Sequence, residues 1–296
     1  MLNKKAIQTV FLFALVFLIT LSPEFGCTKR NNDGGASLKK SNYADTGAVT
    51  VIDATVNNNE SGNAAFKKFE LVVSDTVNKI DDIRVSFTYP TAIGDSSALA
   101  ELRKNFIEQA FNKKYAGLEP SEVVKSVVKG HVDEVRSASG DDGNSDCMYY
   151  FSHHDTVFFP ISGFLQYITF YGDYTCGAHG GYSAQNCLYN LADGKRVEPQ
   201  DIFVKGWEQS VTKSIVEQYL EGKGLNSLDE DGYAEEESFV PDGYIMSFDD
   251  PQGITFAYNT YRIAPYVEGP QAVLVSWDKL KPYLNKQSVI YPKLRF

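Results

Sequence analysis

Residues 147–191, CMYYFSHHDTVFFPISGFLQYITFYGDYTCGAHGGYSAQNCLYNL, constrain the fold more than any other part of the chain. Aromatic and β-branched residues run almost unbroken to a glycine-rich interruption, CGAHGGYS, and resume after it, which reads as strands joined by a turn. A nucleotide-binding loop would need those glycines between a strand and a helix N-terminus, whose N–H groups hold phosphate. Here strand-like sequence lies on both sides and no Lys-Ser/Thr follows, so phosphate binding is set aside. Gly177, Gly180 and Gly181 are expected to supply the positive φ angles of a tight turn.

The rest of the chain alternates less regularly. GAVTVIDATVN (47–57), FKKFELVVSD (66–75) and IRVSFTYP (83–90) are β-rich, and in the last Val85, Phe87 and Tyr89 alternate with polar residues as on a half-buried strand. Leu99, Leu102, Phe106 and Ala110 then recur at helical spacing behind Asp95 or Ser96 as cap. A second helix is expected from about Ser121, with Val124, Val127, Val128 and Val135 on one face. Trp207, Val211, Ile215 and Tyr219 repeat every four residues and predict an amphipathic helix over 206–220. Strand-like runs return at GYIMSFDD, GITFAYNTYRI and AVLVSW, and DKLKPYL closes the chain's core as a short helix. This order predicts an α+β fold: antiparallel sheet with helices packed on one face, in two intimately associated subdomains. Eighteen Tyr and nineteen Phe among 296 residues suit such half-buried strands.

The N-terminus reads as a targeting segment. Lys4 and Lys5 precede an apolar run from Val10 to Leu21, a length that suits a secretory signal rather than a membrane span. Gly26-Cys27 suggests a bacterial lipoprotein signal, with Cys27 lipidated as the first mature residue. Glu24 stands where such signals carry Leu, which leaves a soluble periplasmic product as the alternative. The expected organisation is a signal peptide (1–26), a polar tether (27–46), an N-terminal α+β region (47–187) and a C-terminal one (188–296). Removing residues 1–26 moves the formal charge from −10 to −11. That balance argues against a nucleic-acid partner and for cationic ones. Membrane contact is expected through the lipid alone.

Export changes how the cysteines read. Cys176 and Cys187 flank the glycine-rich turn on adjacent strand-like runs, and a bridge between them would stabilise by about 3 kcal/mol in the chain-entropy model. That pairing is the expectation, with strand pairing alone as the alternative; Cys147 is then left over and buried. No CxxC pair supplies zinc or thioredoxin spacing. In SHHD (152–155), His153 and Asp155 can share a strand face but His154 cannot, so a third ligand is missing. SLDEDG (227–232) matches part of a calcium loop, yet Ser227 and Ser238 occupy positions that need carboxylates. Neither HExxH nor GxSxG occurs. No catalytic residue, metal or cofactor is expected.

Two stretches carry a family resemblance. YTCGAHGGYSAQNCLYNLADGKRVEPQDIF has a Gly-Ala-His-Gly turn, a strand ending at Asp193-Gly194-Lys195, and a short DIF element. GITFAYNTYRIAPYVEGPQAVLVSWDKLKPYL has a strand, an APY…GP turn, a strand and a final helix. Together they resemble the RsiV/PdaC-type extracytoplasmic domain, over residues 48–285. Members of that family include the lysozyme-binding ectodomain of a membrane anti-sigma factor, the non-catalytic part of a peptidoglycan deacetylase, and envelope lipoproteins of unknown role. Few residues precede the apolar run and the chain ends soon after KPYL, so the expectation is the ectodomain alone. The resemblance implies a non-enzymatic binding module of the cell envelope, periplasmic or outer-membrane, with a lysozyme-like cationic protein or a cell-wall glycan as ligand. His179 and Tyr182 at the hairpin tip, with Tyr174 before it, are the expected contacts. The alternative is a hydrolase acting on envelope glycans through paired carboxylates in a cleft.

Overall fold

Residues 50–54, 64–75, 80–93, 96–138 and 147–294 are described by a computed structural model. The expected signal peptide, Cys27 and the tether lie outside the described residues. Six strands form one sheet in sequence order: β1 (Thr50–Ala54), β2 (Ala65–Asp75), β3 (Ile80–Ala92), β4 (Tyr149–Phe158), β5 (Phe164–Tyr174) and β6 (Gly181–Asn190). Neighbours are antiparallel except β3 and β4, which run parallel from Ile80 opposite Tyr149 to Val85 opposite His153. Two helices separate that pair in sequence, α1 (Ser96–Ala110) and α2 (Pro120–Ala138). A parallel pair needs such a crossover, because a tight turn can only reverse the chain.

The expected helical spacings hold except at Leu99, which is half-buried while Ala98 beside it is buried. Leu102, Phe106 and Ala110 of α1 and Val124, Val127, Val128 and Val135 of α2 are buried, as are Val123 and Ile107 beside them. They pack on Leu71, Ile83, Val85, Phe87, Leu165, Tyr167 and Tyr189 of the sheet. Phe106 stacks on Tyr167 with centroids 3.8 Å apart and planes within 5°. Gln109 pins helix to sheet: its amide donates to the carbonyls of Tyr167 (3.2 Å) and Gln185 (3.3 Å), and its oxygen accepts from the Tyr189 hydroxyl (2.9 Å). A buried amide with every strong partner made costs little, whereas a half-satisfied one would cost about 1–3 kcal/mol.

A second core lies on the other side of β5 and β6. Helix α3 (Glu208–Lys223) buries Val211, Ile215 and Tyr219, with Trp207 just ahead of it. This face meets a three-stranded antiparallel sheet, β7 (Met246–Ser247), β8 (Gly253–Tyr258) and β9 (Gln271–Ser276). The alternation of a strand explains the division. Phe164 and Leu188 enter the second core, while Leu165, Tyr167, Cys187 and Tyr189 enter the first. Gln166, also buried, joins the two sheets by donating to the Met246 carbonyl (3.2 Å) and accepting from the Phe248 N–H (3.4 Å). A parallel bridge between Asn186 and Ile245 continues that seam. The boundary expected at 187/188 falls inside β6, and residues 46–296 form one compact unit.

The turn after β6 needs its glycine. Gly194 has φ +73°, and a Cβ there would overlap the Ala98 carbonyl oxygen and sit 2.8 Å from the Leu102 nitrogen of α1. Asn105 of α1 donates to the Gly194 carbonyl (3.0 Å), so the helix cradles the turn.

The expected Cys176–Cys187 bridge is not the one formed. Cys147 and Cys176 are joined, with Cα atoms 5.8 Å apart, and Cys187 is a buried free thiol. Cys187 sits opposite Tyr167, six residues up β6 from the turn, or about 20 Å at strand rise. A disulfide spans at most about 7 Å between Cα atoms. Its burial pushes the Cys187 thiol up to about 12. Cys147 reaches the turn because β4 and β5 are antiparallel with Tyr150 opposite Tyr174, which brings the chain ahead of β4 beside the chain beyond β5.

Candidate aromatic binding surface

Beyond the last ladder pair, Asp173 with Gly181, the β5–β6 connection projects from the sheet. Its glycines act differently from expectation. None of Gly177, Gly180 and Gly181 has positive φ; Cys176 takes the left-handed conformation instead, at φ 66°. Gly180 and Gly181 are required for room: a Cβ on Gly180 would lie 2.9 Å from the Asp173 carbonyl oxygen, and one on Gly181 would overlap the Asp173 carboxylate.

His179, exposed at the tip, is held by residues some 80 positions further on. Its ring stacks on Tyr266, centroids 3.8 Å apart and planes within 20°. Its Nε2 hydrogen-bonds the Tyr261 hydroxyl (3.0 Å), and Nδ1 lies 3.0 Å from the Gly180 carbonyl. Tyr266 in turn donates its hydroxyl to the Gly180 carbonyl (2.9 Å). Tyr261 has φ 68° and is 54% exposed. A bulky residue in that region costs about 1–3 kcal/mol and persists where surroundings impose it. Here Tyr233 donates to the Tyr261 carbonyl (3.1 Å) and the Tyr261 N–H donates to Ala264 (3.2 Å). Cys176 and Tyr261 are the only non-glycine residues of positive φ among the described residues; Tyr261 touches His179, and Cys176 precedes it by three positions.

The two stretches that carry the family resemblance therefore meet at one surface. Asn259 stitches them lower down, accepting from the Ala184 N–H (2.7 Å) and donating to the Ala184 carbonyl (3.0 Å). The Thr260 hydroxyl donates to the Tyr182 carbonyl (3.4 Å). Tyr182 is 37% exposed, and burial followed by the neighbouring Tyr266 and Tyr150 raises its hydroxyl's pKa. Tyr174 is drawn into the ladder opposite Tyr150 and shares the sheet face of Tyr182. The single turn Tyr266–Glu268 places Val267 89% exposed beside the aromatic rings. Lys223, in the last turn of α3, ties that turn through Glu268 (2.9 Å) to Asp231 (2.7 Å) of the segment that follows α3. Burial works against the Lys223 ammonium, but its bonds to Asp231, Tyr219 and Glu268 outweigh it and hold its pKa above the usual lysine range.

Other motifs are absorbed by the fold. His153 and Asp155 share a face, as a strand requires; His153 is fully buried, and Asp155 is half-buried with its carboxylate turned to polar partners. His153 Nδ1 meets the Ser86 carbonyl (3.0 Å), and burial lowers its pKa to about 3, which keeps the imidazole neutral. Asp155 accepts from the Thr88 N–H, the Thr88 hydroxyl and the Tyr167 hydroxyl. In the SLDEDG stretch, Ser227 caps a single helical turn, Leu228–Asp231, through the Glu230 N–H. Two clefts among the described residues lie elsewhere on the molecule. One, of about 380 Å³, is lined by Ile93, Phe164, Leu191, Val289 and Lys293; the other, of about 550 Å³, by Glu108, Asn112, Tyr171, Ser183 and Tyr244. Neither is lined by His179, Tyr261 or Tyr266. Tyr233, Tyr261 and Tyr266 were not expected as site residues, although the last two lie in the second resemblance-bearing stretch, NTYRIAPY.

The fold and part of the sequence match known proteins. None of the curated proteins matches the chain. The architecture is similar to the crystal structure of a DUF3298 family member from Bacteroides fragilis, with TM-score 0.66 and 24% identity, covering 85% of this chain and 99% of that one. It is also similar to a DUF3298 family protein from Pseudomonas aeruginosa, with TM-score 0.53 and 14% identity, covering 81% of this chain and 95% of that one. Residues 200–278, which hold α3, β7 to β9 and the tyrosines that face His179, match the model of DUF3298, a family described as proteins of unknown function.

Proposed function

We propose that this chain is an exported, non-enzymatic binding module, lipid-anchored through Cys27 in a bacterial envelope. Its contact surface is the His179–Tyr261–Tyr266 cluster with Tyr182 and Val267. One observation carries the reading: two stretches distant in sequence converge on an exposed aromatic cluster built on strained backbone. Exposed tyrosines held rigid lose little entropy on binding, which is why they recur at interaction hot spots. The Cys147–Cys176 disulfide suits an oxidising compartment. A projecting surface whose acids Asp231 and Glu268 are committed to Lys223 favours binding over glycan hydrolysis, which needs two free carboxyl groups flanking a bond.

The ligand is a lysozyme-like cationic protein or a cell-wall glycan, and charge separates them. Attraction between an acidic domain and a cationic protein acts on association rate, and screening shortens from about 10 Å at 0.1 M salt to about 3 Å at 1 M. Stacking of a neutral sugar on Tyr faces is insensitive to it. Surface plasmon resonance with lysozyme and with muropeptides, across a salt series, distinguishes the two ligands. Tyr266→Ala should weaken the productive ligand at least tenfold. If neither ligand binds the wild-type chain at low salt, or Tyr266→Ala binds equally well, the proposal fails.

A further inference from the structure

The geometry points to the Cys147–Cys176 disulfide as a site of thiol–disulfide exchange that sets the shape of the aromatic surface, whatever its ligand. Three observations lead there. Both cysteines are only partly buried, whereas the remaining thiol, Cys187, is fully enclosed. Cys176 carries a left-handed backbone, and it lies three residues from His179. Among the described residues, no turn hydrogen bond joins backbone groups between Thr175 and Gly180. The tip is therefore held by side chains: the disulfide on one side, and His179 and Tyr266 on the other.

Without the crosslink, a non-glycine residue has no reason to stay at positive φ and relaxes toward the right-handed or extended regions. Any such rotation at Cys176 re-aims the following residues, and His179 leaves the face of Tyr266. The oxidised form is thus the preorganised one.

The exchange needs a dithiol reductant, such as a thioredoxin-like protein or dithiothreitol. Its thiolate attacks one sulfur of the pair, the Cys147–Cys176 bond breaks, and a mixed disulfide forms. The second thiol of the reductant then displaces the protein cysteine. Two electrons and two protons pass to the protein, leaving two cysteine thiols and an oxidised reductant.

The test uses the full chain and needs no ligand. Graded dithiothreitol is added under native conditions; thiols are mapped with a maleimide mass tag, and amide hydrogen exchange is followed by peptide. The expected result is tagging of Cys147 and Cys176 while Cys187 stays protected. Exchange across 175–181 should rise at least tenfold, with the amides of β8 and β9 unchanged. The double variant Cys147→Ser/Cys176→Ser should reproduce that pattern without reductant. Should Cys187 become tagged in step with the other two, the bond opens only on unfolding and the inference is overturned. Opening with unchanged exchange at 175–181 overturns it equally. Either result leaves the ligand-binding proposal standing, since that rests on Tyr266→Ala.

Discussion

Asp155 ties β3, β4 and β5 together, and its titration should be visible in the stability of the whole domain. The carboxylate accepts from the Thr88 N–H (2.7 Å), the Thr88 hydroxyl (2.6 Å) and the Tyr167 hydroxyl (2.7 Å). Burial nevertheless pushes its pKa up to about 6, against the pull of those donors and of Lys68. In the unfolded chain the value is about 3.9. The folded state thus holds this proton more tightly, so the stabilising contribution is complete below pH about 4 and is lost as pH rises through about 6. Each tenfold change in proton affinity is worth about 1.36 kcal/mol, so the whole displacement amounts to about 3 kcal/mol. With an unfolding entropy of about 2.1 cal/mol/K per residue, the unit Thr46–Phe296 has about 0.5 kcal/mol/K, which converts 3 kcal/mol to about 6 °C in Tm. Asp155→Asn removes the titration while keeping the shape. Calorimetric melting of both proteins from pH 4 to pH 7 should show the wild type losing about 6 °C relative to the variant. Tm curves that run parallel within about 1 °C would mean that Asp155 titrates as an ordinary surface carboxylate, and the burial argument would be refuted.

Gly194→Ala combines positive φ with a collision against α1 and should cost more than about 3 kcal/mol in urea unfolding, whereas Gly206→Ala, at φ +80° with open space around it, should cost about 1 kcal/mol. Equal costs would show that α1 yields freely to the added methyl. Cys187, with burial raising its thiol to about 12, should resist maleimide at pH 8 in the native protein and react at once in denaturant. Labelling of native Cys187 would place it at the surface.

The parts of this fold set by local chemistry were readable from the residues. Valines four apart mark α2, Trp207 to Tyr219 mark α3, and the aromatic alternation on both sides of CGAHGGYS marks β5 and β6. The disulfide was not, because its partner depends on which strand lies beside β5. Once β4 and β5 are known to be antiparallel about the turn near Ser162, Cys147 falls beside Cys176. The parallel pairing of β3 and β4 is likewise a matter of topology rather than of any local signal. At the aromatic surface, His179 and Tyr182 stood out because glycines frame them, while Tyr261 and Tyr266 read as ordinary strand and turn residues. Only the three-dimensional meeting of the two segments gives them a role. The glycines of the tip illustrate the limit: composition says that side chains are unwelcome there, and only the position of Asp173 says why.

The hairpin of β5 and β6 buries Leu165 and Tyr189 in one core and Phe164 and Leu188 in the other. To melt either half alone would wet one whole face of these strands while the other remained packed. At about 25 cal/mol per Å² of apolar surface, that interfacial penalty rivals the few kcal/mol by which a domain is stable at all. Neither half can then possess a melting temperature of its own. Heat or urea should dismantle residues 46–296 in a single step, and a substitution at Phe164 should loosen α1 and α2, which pack in the other core, as surely as it loosens α3.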